Sequence, residues 1–443
     1  MTRLIHQFDS SSIVPLRPDW LWCWQAGRWR CAVDLLQRQL EQRQTWLLQR
    51  RPPLLILAET EPLDFLSGLL AALGTGTPLL LANPQWQAHE WQQVAVLVPR
   101  EYHGWGAVPP LAAQGSPDPL RAGLILIPTG GSQGRLRWAM HTPATLYAAV
   151  QGLQQHVQQG ALHCLSILPL YHVSGLMPVL RSLWTGGQLY LARHLRDLEG
   201  AAAPPNLDLW LSLVPRQLQQ VGDTPIPWLS QLAGIFMGGG PTWPALLDRA
   251  AAQQLPLCLS YGMTETAGMV CAQRAGDFLG GDRSCGQPLP HAHVQVRAAG
   301  QVVVQAGSLA QGYYPDLFPT PVLCTDDRGE WRGDRLYIWG RSSRKIISGG
   351  ENIYPEELEA LLLSSGWVKD IYIYGEPHPT WGEQVVAAYV PLGEVGPEQL
   401  AAWLRQQCSA YKCPKRWVPC SALPRTPHGK IQLSALLADR LQP

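Results

Sequence analysis

At 443 residues the chain exceeds the ~250–300 at which a single hydrophobic core stops growing, so at least two domains are expected. Apolar residues make up 46%, which excludes a disordered chain, and a net charge of +1 without a long run of either sign excludes the basic face a nucleic-acid partner needs. The ten cysteines are scattered, with no C-x-x-C pair and no zinc partners around Cys408, Cys413 and Cys420, and read as reduced thiols of a cytoplasmic protein.

Residues 1–12 hold no apolar h-region, so no secretory leader is expected. Trp22 and Trp24 alternate like a strand; with Trp20 and Trp29 they form an aromatic patch that either meets a ligand or, more simply, packs on the domain body. Helical periodicity covers Val33–Arg50 and stops at Pro52 and Pro53. A strand at Leu54–Ala58, a helix at Pro62–Leu73 and a strand at Pro78–Ala82 make a β-α-β unit, the seed of a parallel sheet. Gly74, Gly76 and Pro78 break the apolar stretch Phe65–Ala82, so it is not expected to span a membrane. Trp86–Gln93 reads as a helix, Ala95–Val98 as a strand and Tyr102–Arg121 as a loop.

Next comes an apolar run, Leu124–Ile127, that breaks into Pro128, Thr129, Gly130, Gly131, Ser132, Gln133 and Gly134, followed by Arg135 and Arg137. Glycines let backbone N–H groups approach an anion, hydroxyls add donors, and arginines neutralise what the loop cradles. A polyphosphate is the expected guest, although the spacing of a P-loop NTPase is absent; the competing reading is a glycine-rich surface turn with solvated arginines. Helix Pro143–Gln159, strand Cys164–Leu168, the segment PLYHVSG at 169–175, helix Leu176–Trp184 and strand Gln188–Ala192 repeat the β-α-β grammar. Short strands are expected at Leu209–Val214, Gly234–Met237 and Leu257–Ser260, and an antiparallel region at His293–Val304. Composition shifts near Gly340. A hairpin at Glu330–Trp339 precedes it, and helix Glu356–Leu363, strands Val368–Tyr374 and Gln384–Pro391 and helix Pro397–Cys408 follow.

Three later segments accompany the glycine-rich loop in order: SYGMTET at 260–266, GRSSRKIISGGENIYP at 340–355 and PRTPHGK at 424–430. Together the four resemble the adenylate-forming superfamily of acyl-CoA synthetases, luciferases and peptide-synthetase adenylation domains, from roughly Leu54 to Lys430. The resemblance implies an α/β fold. Residues 1–341 would form an AMP-binding domain of layered β-sheets and helices with an antiparallel β region, and 342–443 a small mobile α+β lid.

The resemblance also implies roles. Thr129, Gly130, Gly131, Ser132 and Gly134 would wrap the β- and γ-phosphates of ATP; Gln133, Leu136 and Arg137 depart from the usual Thr, Pro and Lys, and Arg137 keeps the charge. Gly238, Gly239 and Gly240 would let the backbone approach adenine and the acyl group, Tyr261 would stack on adenine, and Thr264 would face the phosphates. Glu265, a hard oxygen ligand, suits Mg²⁺. Asp327, or its neighbour Asp326, would accept the ribose hydroxyls, and Arg341 would reach ribose or phosphate. Ser343 stands at the hinge where an acidic residue or lysine is usual; Gly349 and Gly350 would swing in for the second half-reaction. Lys430 would bridge the carboxylate and α-phosphate during adenylation, with Glu265 and Arg137 as its catalytic partners, and His172 would border the acyl and CoA tunnel.

Thr325–Trp331, His172–Gly175, Arg181 and the glycine-rich loop resemble more narrowly the ligases that act on o-succinylbenzoate in menaquinone or phylloquinone synthesis. Arg181 sits in an otherwise apolar helix and wants an anion, here the second carboxylate of that acid; a protein carboxylate or the solvent is its alternative partner. The implied partners are a small carboxylic acid, ATP with Mg²⁺, and CoA, for a monomer or homo-oligomer. The competing readings are another aryl- or acyl-CoA ligase, or a non-catalytic nucleotide or acyl sensor.

Overall fold

The computed structural model describes residues 16–115, 120–130, 136–223, 226–240, 242, 244–348, 351–378, 381–408, 410–425 and 431–438. These form two compact units: a larger one from Met1–Gly239, Gln254–Gln295 and Val303–Leu323, and a smaller one from Gly240–Gln253, Val296–Val302 and Cys324–Pro443.

Two sheets build the larger unit. The first has seven strands in the order Asp316–Leu317, Gly312–Tyr313, Leu136–His141, Ile125–Gly130, Leu79–Leu81, Leu55–Ala58 and His103–Gly106. Its last four are parallel, and the hairpin 125–141 turns the sheet antiparallel. The second has nine strands and a parallel centre running Leu257–Met263, Gly234–Met237, Leu209–Leu213, His163–Ser166, Leu189–Leu191 and Leu21–Gln25. Side chains alternate across a strand, so each apolar run serves two cores. Leu55, Leu57, Leu79, Leu81, Ile125 and Ile127 face a cluster shared with helices Val33–Arg50, Pro62–Thr75, Pro143–Val157 and Val173–Thr185 and with Cys164, Leu189 and Phe236 of the second sheet. Leu54, Ile56, Ala58, Leu80 and Leu126 face the opposite way, onto Trp86, Trp91 and Trp138. The helices thus lie between the sheets.

Most expected elements form within a residue or two of their expected ends. One reading is corrected. Ala95–Val98 is not a strand: it is the end of helix Ala88–Leu97, and the strand lies at His103–Gly106, inside the expected loop. Glu90 accepts from the Gln87 N–H at 3.0 Å to start that helix, and Trp91, Val94 and Val98 then share one buried helical face. The short apolar run at 95–98 has the composition of a strand, and a run that short does not show the helical period by itself. Trp20 is buried and donates to Ser182 Oγ at 3.1 Å, while Trp22, Trp24 and Trp29 pack on one another and on Tyr190, so the N-terminal tryptophans are packing groups. Among the described residues no helix is long and apolar enough to cross a membrane.

The smaller unit contains the hairpin Leu323–Arg332/Arg335–Arg341 and a five-stranded sheet built on Val368–His378 and Gly382–Pro391. Helices Pro355–Ser364 and Pro397–Gln407 cover one face of that sheet. Arg344 anchors this packing. It donates to Glu356 at 3.2 Å, to Glu359 at 2.5 and 3.1 Å and to the Ile373 carbonyl at 3.2 Å. Burial works against its charge, but Glu359 and then Glu356 outweigh it and push the guanidinium up. Arg344→Met would strand two largely buried carboxylates. It should destabilise this unit by about 3 kcal/mol, read as faster hydrogen exchange in helix Pro355–Ser364; protection equal to the parent would refute the anchor.

Two histidines of the larger unit are held neutral. Burial pushes His141 and His291 down to about 4. The His291 ring packs on helix Pro143–Val157, where a Cβ at Gly152 would lie 1.8 Å from Nδ1, and among the described residues neither ring nitrogen has a hydrogen-bond partner. The unfolded chain protonates these rings near pH 6.5 and the folded chain near 4. Between those values the unfolded state binds more protons, so stability is complete above pH ~6.5 and falls toward pH ~4. A depression of that size costs about 2 kcal/mol per histidine by pH 5. His291→Leu should shrink the difference between urea midpoints at pH 7 and pH 5; an unchanged difference would rule His291 out.

Candidate functional site

Thr129 and Gly130, where the glycine-rich segment begins, end a strand. Strand Ile125–Gly130 pairs with Leu136–His141 in antiparallel register, Thr129 opposite Arg137 and Gly130 opposite Leu136. Gly131, Ser132 and Gly134 lie outside the described residues. Arg137 therefore rises from a strand rather than from the loop. Trp138 and Met140 point into the core, so Arg137, Ala139 and His141 point the other way. The next strand places Tyr313 opposite Ala139, and the Arg137 guanidinium stands 4.2 Å from the centre of the Tyr313 ring.

Thr264 and Glu265 lie on the 3₁₀ turn Thr264–Thr266, just after strand Leu257–Met263. Besides its local bonds, three bonds tie the turn to segments remote in sequence. His141 Nε2 donates to the Thr264 carbonyl at 2.8 Å, the Ala310 N–H to the Glu265 carbonyl at 2.7 Å, and the Tyr313 hydroxyl to Glu265 Oε1 at 2.6 Å. Its low affinity for protons leaves His141 one ring N–H, and the bond to Thr264 assigns that proton to Nε2. Glu265 is buried, and among the described residues nothing hydrogen-bonds Oε2. A carboxylate with one oxygen anchored and the other bare fits a Mg²⁺ whose remaining ligands are phosphate and water. No group of three or more metal-binding side chains occurs among the described residues.

Tyr261 is on the same strand, longer than expected, at a shift of register. The neighbouring Gly262 is obligatory: a Cβ there would lie 2.0 Å from the Gly268 carbonyl oxygen. Gly238, Gly239 and Gly240 follow the adjacent strand Gly234–Met237, and Gly239 takes φ +78°. Strand and turn thus set Tyr261 and the glycines side by side at one end of the nine-stranded sheet.

Helix Val173–Thr185 carries the other candidates. His172 occupies its N-cap position without a side-chain cap, its ring 4.7 Å from that of Tyr171. Arg181 is 6% exposed. Its guanidinium lies 5.6 Å from the ring of Phe236, in the strand that leads to Gly238. Burial pulls it down to about 10, still protonated at neutral pH. Among the described residues its Nε has no hydrogen-bond partner and no carboxylate pairs with it. Of the alternatives to a ligand anion, the protein carboxylate finds no candidate among the described residues.

In the smaller unit, cross-strand register sets Asp327 opposite Arg341, whose Nε donates to Oδ1 at 2.8 Å. Asp327 is buried and Arg341 exposed. The alternative carboxylate, Asp326, is engaged elsewhere: it accepts from the N–H of Ser343 at 3.1 Å and from its hydroxyl. Gly349, Gly350 and Lys430 lie outside the described residues. Tyr313 and His141 were missed by motif reading. Their signal is strand register, since 313 is remote from 137 and 265 in sequence and meets them only through pairing.

Residues 106–314 match the AMP-binding enzyme family, and residues 357–430 match the AMP-binding enzyme C-terminal domain. The 2-succinylbenzoate–CoA ligase of Enterococcus faecalis is 28% identical over 340 residues, 71% of this chain and 69% of that one. That of Listeria monocytogenes is 30% identical over 284 residues, 61% and 60% of the two chains. In structure, the o-succinylbenzoate CoA synthetase of Bacillus subtilis in complex with its acyl-adenylate intermediate aligns with a TM-score of 0.79 at 20% identity, covering 94% of each chain. A fatty acyl CoA synthetase of Mycobacterium tuberculosis aligns at 0.65 and 20% identity, covering 96% of this chain and 95% of its own. The two matched segments follow one another over the same span as the four motifs, and the chain belongs to the AMP-binding enzyme family.

Proposed function

We propose that the protein is an AMP-forming acid–thiol ligase that converts o-succinylbenzoate to o-succinylbenzoyl-CoA in the cytoplasm, supplying menaquinone or phylloquinone synthesis. The observation that carries the choice of acid is Arg181, a buried guanidinium without a carboxylate partner among the described residues, beside the strand that leads to Gly238. o-Succinylbenzoate has two carboxylates. One is activated, and the other must be held without reacting. The names of the bacterial relatives support the same acid.

In the first half-reaction a carboxylate oxygen attacks the α-phosphorus of ATP, the bond from that phosphorus to the bridging oxygen breaks, and pyrophosphate leaves. Thr129, Gly130, Gly131, Ser132 and Gly134 cradle the phosphates, with Arg137 beside them. Tyr261 and Gly238–Gly240 hold adenine, Asp327 and Arg341 the ribose. Thr264 faces the phosphates, and Lys430 bridges the acid and the α-phosphate. Mg²⁺, for which the bare Oε2 of Glu265 is the fitting ligand, offsets phosphate charge when bound. In the second half-reaction the CoA sulfur bonds the acyl carbon and AMP leaves. Ser343 is the hinge between 1–341 and 342–443; Gly349, Gly350 and His172 border the thiol's path. Preorganised charge does this work, and no protein nucleophile is required.

The test is ATP–pyrophosphate exchange and CoA thioester formation across a panel of carboxylic acids. Both should depend on o-succinylbenzoate. Preference for another acid would reassign the substrate, and exchange with none would indicate a nucleotide or acyl sensor. A second test concerns Arg181. Losing one partner of a buried charge pair costs ~2–5 kcal/mol, and ~1.4 kcal/mol is tenfold, so Arg181→Met should lower kcat/KM roughly 30- to 3,000-fold. An analogue without the aromatic carboxylate should lose far less on the same substitution. Equal losses with the fold intact would make Arg181 structural.

A further inference from the structure

Glu265 and Arg137 have opposite charges and come from facing elements of one unit. Among the described residues they form no ion pair; Tyr313 stands between them. Its hydroxyl donates to Glu265 Oε1 at 2.6 Å, and its ring face receives the Arg137 guanidinium at 4.2 Å. The backbone fixes the ring in this place: the Gln311 N–H donates to the Met140 carbonyl at 2.8 Å, and the Tyr314 N–H to the Trp138 carbonyl at 2.9 Å. The Phe318 ring meets Tyr313 edge-on at 5.3 Å.

From this geometry we infer that Tyr313 is a positioning residue that keeps Glu265 and Arg137 apart and aims each at its own ligand, the carboxylate at Mg²⁺ and the guanidinium at the ATP phosphates. The inference rests on the nucleotide reading of the site proposed above. A phenol suits the task because it presents a donor at its tip and an electron-rich face at its side. A carboxylate has no proton to give, so the hydroxyl is the donor in this bond. With Oε1 occupied, the free lone pairs of Oε2 are the ones left for a cation. With the guanidinium held against the ring, its N–H groups remain available to an anion, since a π-face takes none of them.

The two contacts can be removed separately. Tyr313→Phe keeps the ring and loses the hydroxyl; Tyr313→Leu loses both. Calorimetric titration with ATP, without and with Mg²⁺, reads binding without turnover. The parent should bind ATP more tightly with Mg²⁺ than without. Tyr313→Phe should lose roughly 10- to 140-fold of that Mg²⁺-linked gain, the range of a charge-assisted hydrogen bond, while metal-free ATP binding stays within twofold. Tyr313→Leu should weaken metal-free binding as well. Melting temperatures verify folding, and the conservative Phe variant keeps the test usable if Leu unfolds. Glu265→Gln separates the two levels of the argument. If it too leaves the Mg²⁺-linked gain intact, the assignment of Glu265 to the cation fails and this inference falls with it. If it abolishes the gain while Tyr313→Phe matches the parent, the inference alone is overturned. Equal weakening of metal-free and Mg²⁺-linked binding in Tyr313→Phe also overturns it, because that is the signature of general loosening.

Discussion

Three hydrogen bonds at one short turn join the two sheets of the larger unit. The turn Thr264–Thr266 closes a strand of the nine-stranded sheet, while its partners His141 and Tyr313 belong to the seven-stranded sheet and Ala310 leads into it. Each bond is made in a buried or half-buried setting, where an unmet polar group is costly. The turn is thereby tied to the strands that carry Arg137. A nucleotide site assembled from two sheets needs such a tie, because packing between apolar faces sets distance only loosely, whereas hydrogen bonds set direction.

The smaller unit uses register for the same purpose. Asp327 and Arg341 meet because they are opposite residues of one hairpin, and a one-residue slip would turn one of them to the other face. The adjoining Asp326 serves the backbone instead, capping the turn at Ser343. Two neighbouring carboxylates thus take different tasks through the alternation of a strand. Behind the same turn, Arg344 ties the segment to helix Pro355–Ser364 through Glu356 and Glu359.

Two arginines of the chain meet very different surroundings. Arg344 is half-buried and surrounded by acceptors. Arg181 is enclosed among apolar neighbours, with a cysteine and an aromatic ring beside it and no carboxylate among the described residues. The two look alike in sequence, each an arginine in a partly apolar stretch. Their surroundings differ only after folding, and the difference carries the functional reading of Arg181.

Local pattern was enough for the layered α/β architecture: apolar runs of four to six residues alternate with amphipathic helices, and period 2 against period 3.6 is legible without tertiary contacts. It erred at 95–106, where the apolar end of a helix resembled a short buried strand and a glycine-containing strand, His103–Gly106, resembled a loop. The segments that hold Thr129, Thr264, Glu265, Asp327 and Arg341 could be singled out as candidates, because glycine-rich turns and acidic signatures are written in consecutive residues. What consecutive residues do not encode is pairing across the chain. Only strand register brought Tyr313 to Arg137 and Glu265 and set Asp327 rather than Asp326 against Arg341, since each of these depends on side chains far apart in sequence meeting in space; the surroundings of Arg181, with no carboxylate partner among the described residues, likewise exist only after folding.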